Sequence, residues 1–138
     1  RCSSFTCQKP PPIITYTSSN FEREFVSACA NGKRIKWRFF DWQSITPTGT
    51  SITFTAATKN IGGTYGAEVN VGYSAPPPTQ TATWTSGPQT VDEALKADGQ
   101  ESLPVLRVTA IFTPKTIQPS ATPTLTQWRQ SYDCVDSE

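Results

Sequence analysis

The chain contains no histidine, so a serine or cysteine nucleophile would lack the imidazole base that a catalytic triad needs. Neither G-x-S-x-G nor a phosphate-cradling P-loop occurs. The remaining route to hydrolysis is a pair of carboxylates flanking a glycosidic bond. The candidates are Glu22, Glu24, Asp41, Glu68, Asp92, Glu93, Asp98 and Glu101. Most fall where strand alternation turns them to solvent. Asp92 and Glu93 open a short helix whose positive N-terminus accounts for them. The expectation is a protein with no catalytic residues.

Cysteine chemistry points the same way. The four cysteines are Cys2, Cys7, Cys29 and Cys134, and no two are spaced as C-x2-C, so a zinc tetrathiolate is disfavoured. Two disulfides fit better and imply an oxidising, extracellular setting. Four cysteines allow three pairings, and spacing alone does not choose among them. The pairing adopted is Cys2 with Cys7, closing a small loop, and Cys29 with Cys134, tying the start of the domain to its last strand. Closing a loop of about 100 residues is worth roughly 4–5 kcal/mol in the chain-entropy account. No EF-hand loop occurs. A structural calcium held by scattered loop oxygens is admitted, and no other cofactor or metal is expected.

Aromatic side chains are the best candidate ligand surface. Strict alternation through Arg34–Trp42 places Ile35, Trp37 and Phe39 on one face and Lys36, Arg38, Phe40 and Trp42 on the other. If the second face were solvent-exposed, Phe40 and Trp42 would form a candidate glycan-binding platform, stacking on sugar rings. The competing expectation, and the favoured one, is that both faces are covered and all these rings are core. The Thr- and Pro-rich stretch 76–89 would suit O-glycans, and no N-x-S/T acceptor is present.

Such residues need a scaffold, and the scaffold read from the chain is all-β. The 138 residues are one domain's length and carry a net charge of +1. That balance gives no field for nucleic acid or anionic membrane, and no apolar run is long enough for a membrane helix. The chain opens on Arg1 without a signal-peptide pattern and reads as a processed product or excised fragment. Residues 1–12 read as a disulfide-looped tail ending in Pro10-Pro11-Pro12, a stiff extended spacer. The β domain then covers residues 13–138.

Strands are expected at Ile13–Thr17, Phe21–Val26, Arg34–Trp42, Ser51–Thr58, Ala67–Tyr73, Thr81–Thr85, Val105–Phe112 and Thr124–Cys134. Val105–Phe112 is apolar enough to be central and covered on both faces. Arg107 and Arg129 interrupt apolar faces and should pair with carboxylates or snorkel. Asn31-Gly32 signals a hairpin or tight turn. One short helix is expected at Val91–Ala97, capped by Thr90 with Glu93 and stopped at Gly99. About eight strands between Gly, Pro and Asn breaks make an antiparallel β-sandwich.

Three stretches carry a resemblance. They are Trp37-Arg-Phe-Phe-Asp-Trp with Thr48-Gly-Thr-Ser-Ile-Thr-Phe, then Leu106-Arg-Val-Thr-Ala, then Thr122-Pro-Thr-Leu-Thr with Trp128 and Cys134. In that order, over about residues 13–135, the chain resembles a jelly-roll-like module of bacterial extracellular surface and adhesin proteins, of the von Willebrand A or pilus-tip-associated type. The resemblance implies a jelly-roll sandwich and a Cys29–Cys134 bond, and it brings no catalytic residues. Composition, the disulfides and the N-terminal tail, which lies outside the resemblance, point to a structural or assembly module of a bacterial surface appendage, filament or adhesin. Its tail would contact a neighbouring copy or another surface protein, with Ile13, Ile14 and Tyr16 as the candidate assembly segment through strand addition. The alternative is a carbohydrate-binding module using Phe40 and Trp42.

Overall fold

The computed structural model describes residues 20–74 and 84–136. The expected Cys2–Cys7 loop, the tail and the Ile13–Thr17 strand lie outside these residues. Seven strands and one helix follow in order: β1 (Phe21–Val26), β2 (Lys33–Ile45), β3 (Ser51–Lys59), β4 (Val69–Ser74), β5 (Thr85–Ser86), α1 (Val91–Lys96), β6 (Val105–Thr113) and β7 (Thr124–Asp136). They form two antiparallel sheets, β1-β6-β3-β4 and β5-β2-β7. The all-β sandwich read from alternation is the fold. Among the described residues, no helix is long and apolar enough to cross a membrane.

The two sheets close on an aromatic core. Phe40 and Trp42 of β2 meet Phe54 of β3 at ring-centroid distances of 4.8 and 4.6 Å. Trp128 of β7 meets Phe40 at 5.6 Å and Phe21 of β1 at 5.4 Å. Ile52, Leu106, Val108 and Leu125 fill the space between. Gly72 is required here, because a Cβ at that position would sit 2.8 Å from the Trp42 ring.

Alternation holds until a bulge interrupts it. In β2, Trp37 faces Tyr132 and Phe40 faces Gln130, so β2 carries one residue more than β7 across that step. The extra residue turns the strand over by half a period. Ile35, Trp37, Phe40 and Trp42 therefore all point inward, and Phe39 points out at 38% exposure. A second irregularity, between Gln43 and Ser44, adds a residue to β7 near Thr126. This lets Leu125 join Trp128, Gln130 and Tyr132 on the inner face. A third, between Phe54 and Thr55, adds one to β4. Val71 is then buried and Tyr73 is 58% exposed, so Val71 and Tyr73 do not share a face as strict alternation predicts.

Two further expectations change. β6 is central, between β1 and β3, and Leu106, Val108, Ala110 and Phe112 face the core, with Val105 also buried at the start of the strand. Its outer side, Arg107, Thr109 and Ile111, is half-buried, so it is not covered on both faces. Asn31-Gly32 forms a tight turn, with Lys33 N donating to Ala30 O at 3.0 Å. It is no hairpin, because β1 and β2 belong to different sheets.

The helix forms where its caps predict. Thr90 accepts a hydrogen bond from Glu93 N, and Val91, Ala94 and Leu95 are buried. Gly99 takes φ +71°, Gln100 N donates to Leu95 O, and Gly99 N donates to Lys96 O. That bond pair ends the helix in a Schellman turn.

Candidate functional site

The most distinctive surface is one flank of the sandwich. β1 ends the four-stranded sheet and β7 ends the three-stranded sheet. The two strands lie over each other. Phe21 touches Trp128, Ala28 N donates to the Tyr132 hydroxyl at 3.2 Å, and a disulfide joins Cys29 to Cys134. Their Cα atoms are 5.6 Å apart. Among the described residues, β1 pairs only with β6, and β7 pairs only with β2. Among the described residues, no second strand covers the other side of β1 or of β7 on this flank. At 13 residues β7 is far longer than β5, the 2-residue strand at the other end of its sheet.

The outward side chains of β7 are ordered by charge. Arg129 donates to Asp41 of β2 at 2.9 Å and lies under the Trp84 ring, 3.9 Å from its centroid. Asp41 also accepts from Ser86 Oγ at 2.6 Å. Asp133 pairs with Arg38 at 3.4 Å. Lys33 at the far end of β2 bonds Asp136.

A second cluster lies on the outer face of the four-stranded sheet. Arg107 of β6 bonds Glu68, has Glu22 of β1 at 4.0 Å, and lies 4.3 Å from the centroid of the Tyr65 ring. Tyr65 donates its hydroxyl to Glu24, and Lys59 Nζ lies 4.8 Å over the same ring. The Thr55 hydroxyl donates to Glu68 at 2.6 Å. Gln100 holds the β3–β4 loop in place for this contact. It accepts from Thr58 N at 2.8 Å and donates to Ala67 O at 2.7 Å. Burial, reinforced by the hydrogen bond to Glu24 and by its charge, pushes the Tyr65 phenol well above its ordinary range. Glu68, and Glu22 beside it, hold the Arg107 guanidinium more firmly protonated, against some desolvation.

The third feature is an open cleft of about 460 Å3 beside α1, lined by Arg34, Lys36, Asp92, Glu93, Lys96, Glu101 and Ser102. Asp92 is buried at 6% exposure and accepts from Ser102 N at 2.9 Å. Burial raises its carboxyl above the ordinary value, while the Ser102 and Trp37 backbone N–H groups pull it back. Its role is therefore to bind α1 to the neighbouring loop and to β2, beyond the helix-end role read from sequence. Ser102 sits at φ +61° and accepts from Arg34 through its hydroxyl at 2.7 Å.

The sequence candidates sort as follows. Phe40 and Trp42 are 0% and 1% exposed. The β2 bulge carries both into the core, as the favoured reading has it, so the alternative of a glycan platform on these two rings is excluded, and Phe39 is the ring left outside. Cys29 and Cys134 are brought together in the adopted pairing. Arg107 and Arg129 each meet the carboxylates expected of them. Ile13, Ile14 and Tyr16, with Cys2 and Cys7, lie outside the described residues. Sequence reasoning missed Tyr65 and Gln100. Among the described residues, no three carboxylates or thiols gather where they could hold a metal.

Comparison with protein-family models, with curated proteins and with solved structures finds no match.

Proposed function

We propose that this chain is a non-catalytic, extracellular assembly module of the kind used in a bacterial surface appendage, filament or adhesin. The observation that carries the reading is the β1/β7 flank, where each sheet ends in a strand that, among the described residues, has a neighbouring strand on one side only. Exposed edges recruit further strands because each added residue satisfies backbone groups otherwise left to water. The Cys29–Cys134 bond fixes the two edges relative to each other and fits an oxidising compartment. The tail supplies the second contact, with Ile13, Ile14 and Tyr16 as the segment that reaches a neighbouring copy or another surface protein.

The test is mass measurement by light scattering and sedimentation over a concentration series. The full chain is expected to form assemblies larger than one subunit. Deleting Arg1–Pro12 is expected to leave a folded protein, checked by near-ultraviolet circular dichroism, that assembles less far. Unchanged assembly after the deletion removes the tail from the reading. A full chain that stays monomeric throughout overturns the reading itself.

A further inference from the structure

We infer that β7 pairs antiparallel with β7 of a second copy, in the register that sets Ser131 opposite Ser131. The inference rests on the assembly reading and names its interface. In this register Arg129 meets Asp133 of the second copy, and Asp133 meets Arg129. Directly opposite residues of an antiparallel pair project from the same face. Arg129, Ser131 and Asp133 are all on the outward face of β7, since Trp128, Gln130 and Tyr132 between them are buried.

The charge pattern extends across four strands. Within one subunit, Lys36 stands opposite Asp133 and Asp41 opposite Arg129. Joining two copies then gives a row of Lys36, Asp133, second-copy Arg129 and second-copy Asp41, alternating in sign throughout. The two-fold axis generates the same row again in reverse. Neither arginine nor aspartate loses its internal partner in forming the pair. The Arg129 and Asp133 side chains are 49% and 38% exposed, so each is open to a second carboxylate or cation.

The strand itself suits the contact. Gln127–Val135 contains neither Pro nor Gly, and the β7 bulge lies N-terminal to it near Thr126. Proline, bulges and inward charges are the devices that protect an edge; β7 itself carries none of them in this window, and the irregularity opposite Ser131 places its extra residue in β2. β1, on the same flank, differs. The equivalent self-pairing centred on Arg23 would set Glu22 against Glu24 on the outer face, a like-charge contact that opposes pairing. The interface is therefore assigned to β7 alone. An isologous pairing of this kind closes at two copies, and the tail extends assembly beyond the pair.

The experiment uses two full-length variants, Arg129→Asp and Asp133→Arg, alone and mixed. Each variant paired with itself places like charges opposite one another twice. Each is expected to dimerise at least about tenfold more weakly than wild type. Mixed, they restore both opposite-charge contacts, and a heterodimer is expected near wild-type affinity by sedimentation. Internal losses against Asp41 and Arg38 are the same in the self-paired and mixed states, so they cancel. Ser131→Cys is expected to cross-link to itself in the absence of reductant, and Arg129→Cys is not. If the wild-type chain assembles but the charge variants self-associate as wild type, or mixing restores nothing, the β7 pairing is wrong and another contact, such as Ile13–Thr17 on this edge, assembles the protein. A wild-type monomer overturns this inference together with the assembly reading.

Discussion

In the four-stranded sheet Arg107 lies on a central strand, and in the three-stranded sheet Arg129 lies on an edge. Both are flanked by a carboxylate and an aromatic ring, Glu68 with Tyr65 and Asp41 with Trp84. The surroundings differ. Arg107 is walled in by strands on either side and by a loop across its face, and its side chain is 28% exposed. Among the described residues, Arg129 has a neighbouring strand on one side only. The same local chemistry thus seals a sheet where neighbours surround it and leaves a usable contact where they do not. The two sheets also differ in how often their pairing slips, with one slip in the four-stranded sheet, between β3 and β4. β1, β6 and β3 pair without interruption, while β2 and β7 slip register twice.

The largest test of this contrast lies at the β2 bulge. Phe40→Ala should cost about 3–5 kcal/mol, because it empties a ring site enclosed by Trp42, Phe54 and Trp128. Phe39→Ala, one residue away and pointing outward, should cost less than about 1 kcal/mol. Urea unfolding measures both, and equal losses would remove the bulge as the device that chooses which ring enters the core.

The arginines give the next largest difference. Arg107→Ala should destabilise the monomer by about 1–2 kcal/mol, through lost packing on Tyr65 and an unneutralised Glu22 and Glu68 pair. Arg129→Ala should cost the monomer under about 1 kcal/mol, as exposed ion pairs do. Chemical denaturation of dilute protein compares them, and an Arg129→Ala loss that matched Arg107→Ala would erase the distinction between centre and edge.

The smallest effect sharpens the central cluster by pH. The Tyr65 phenol is an acid whose proton is held more tightly in the folded chain than at its ordinary value of 10.0. The folded state therefore binds more protons than the unfolded state above that value, and stability falls as pH rises. The contribution is whole below about pH 10 and is lost above it. Tyr65→Phe should flatten the alkaline limb of the stability curve. An unchanged slope in the variant would show that Tyr65 does not couple the loop to Glu24.

Much of the fold was legible. Phe21–Val26 was read to the residue, Val105–Phe112 and the Val91 helix to within one, because alternation, caps and turn glycines act locally. The bulges were not legible, since a bulge spends no residue type that an ordinary strand lacks. Phe39 and Phe40 are the same amino acid, and only pairing against Tyr132 and Gln130 decides which one is buried. Arg107 and Arg129 stood out as charges inside apolar runs, yet their ring partners did not. Tyr65 and Trp84 come from positions outside the strands, and their approach to the sheets depends on tertiary contacts such as Gln100 with Ala67. An arginine amid valines was the available signal, and it announced a partner without naming it.

The Cys29–Cys134 bond also fixes how the chain bears tension. Its two ends lie 105 positions apart in sequence. A pull applied upstream of Cys29 and downstream of Cys134 runs through two sulfur atoms and bypasses everything between them. Strands β2 to β6 then stay slack, and β7 does too up to Cys134. Among the described residues, β1 and the last two residues of β7, Val135 and Asp136, stand in the line of force, held by their ladders to β6 and β2. A subunit loaded from outside the bond would give up those two ladders, and the 105-position span between the cysteines would not lengthen without breaking a covalent link.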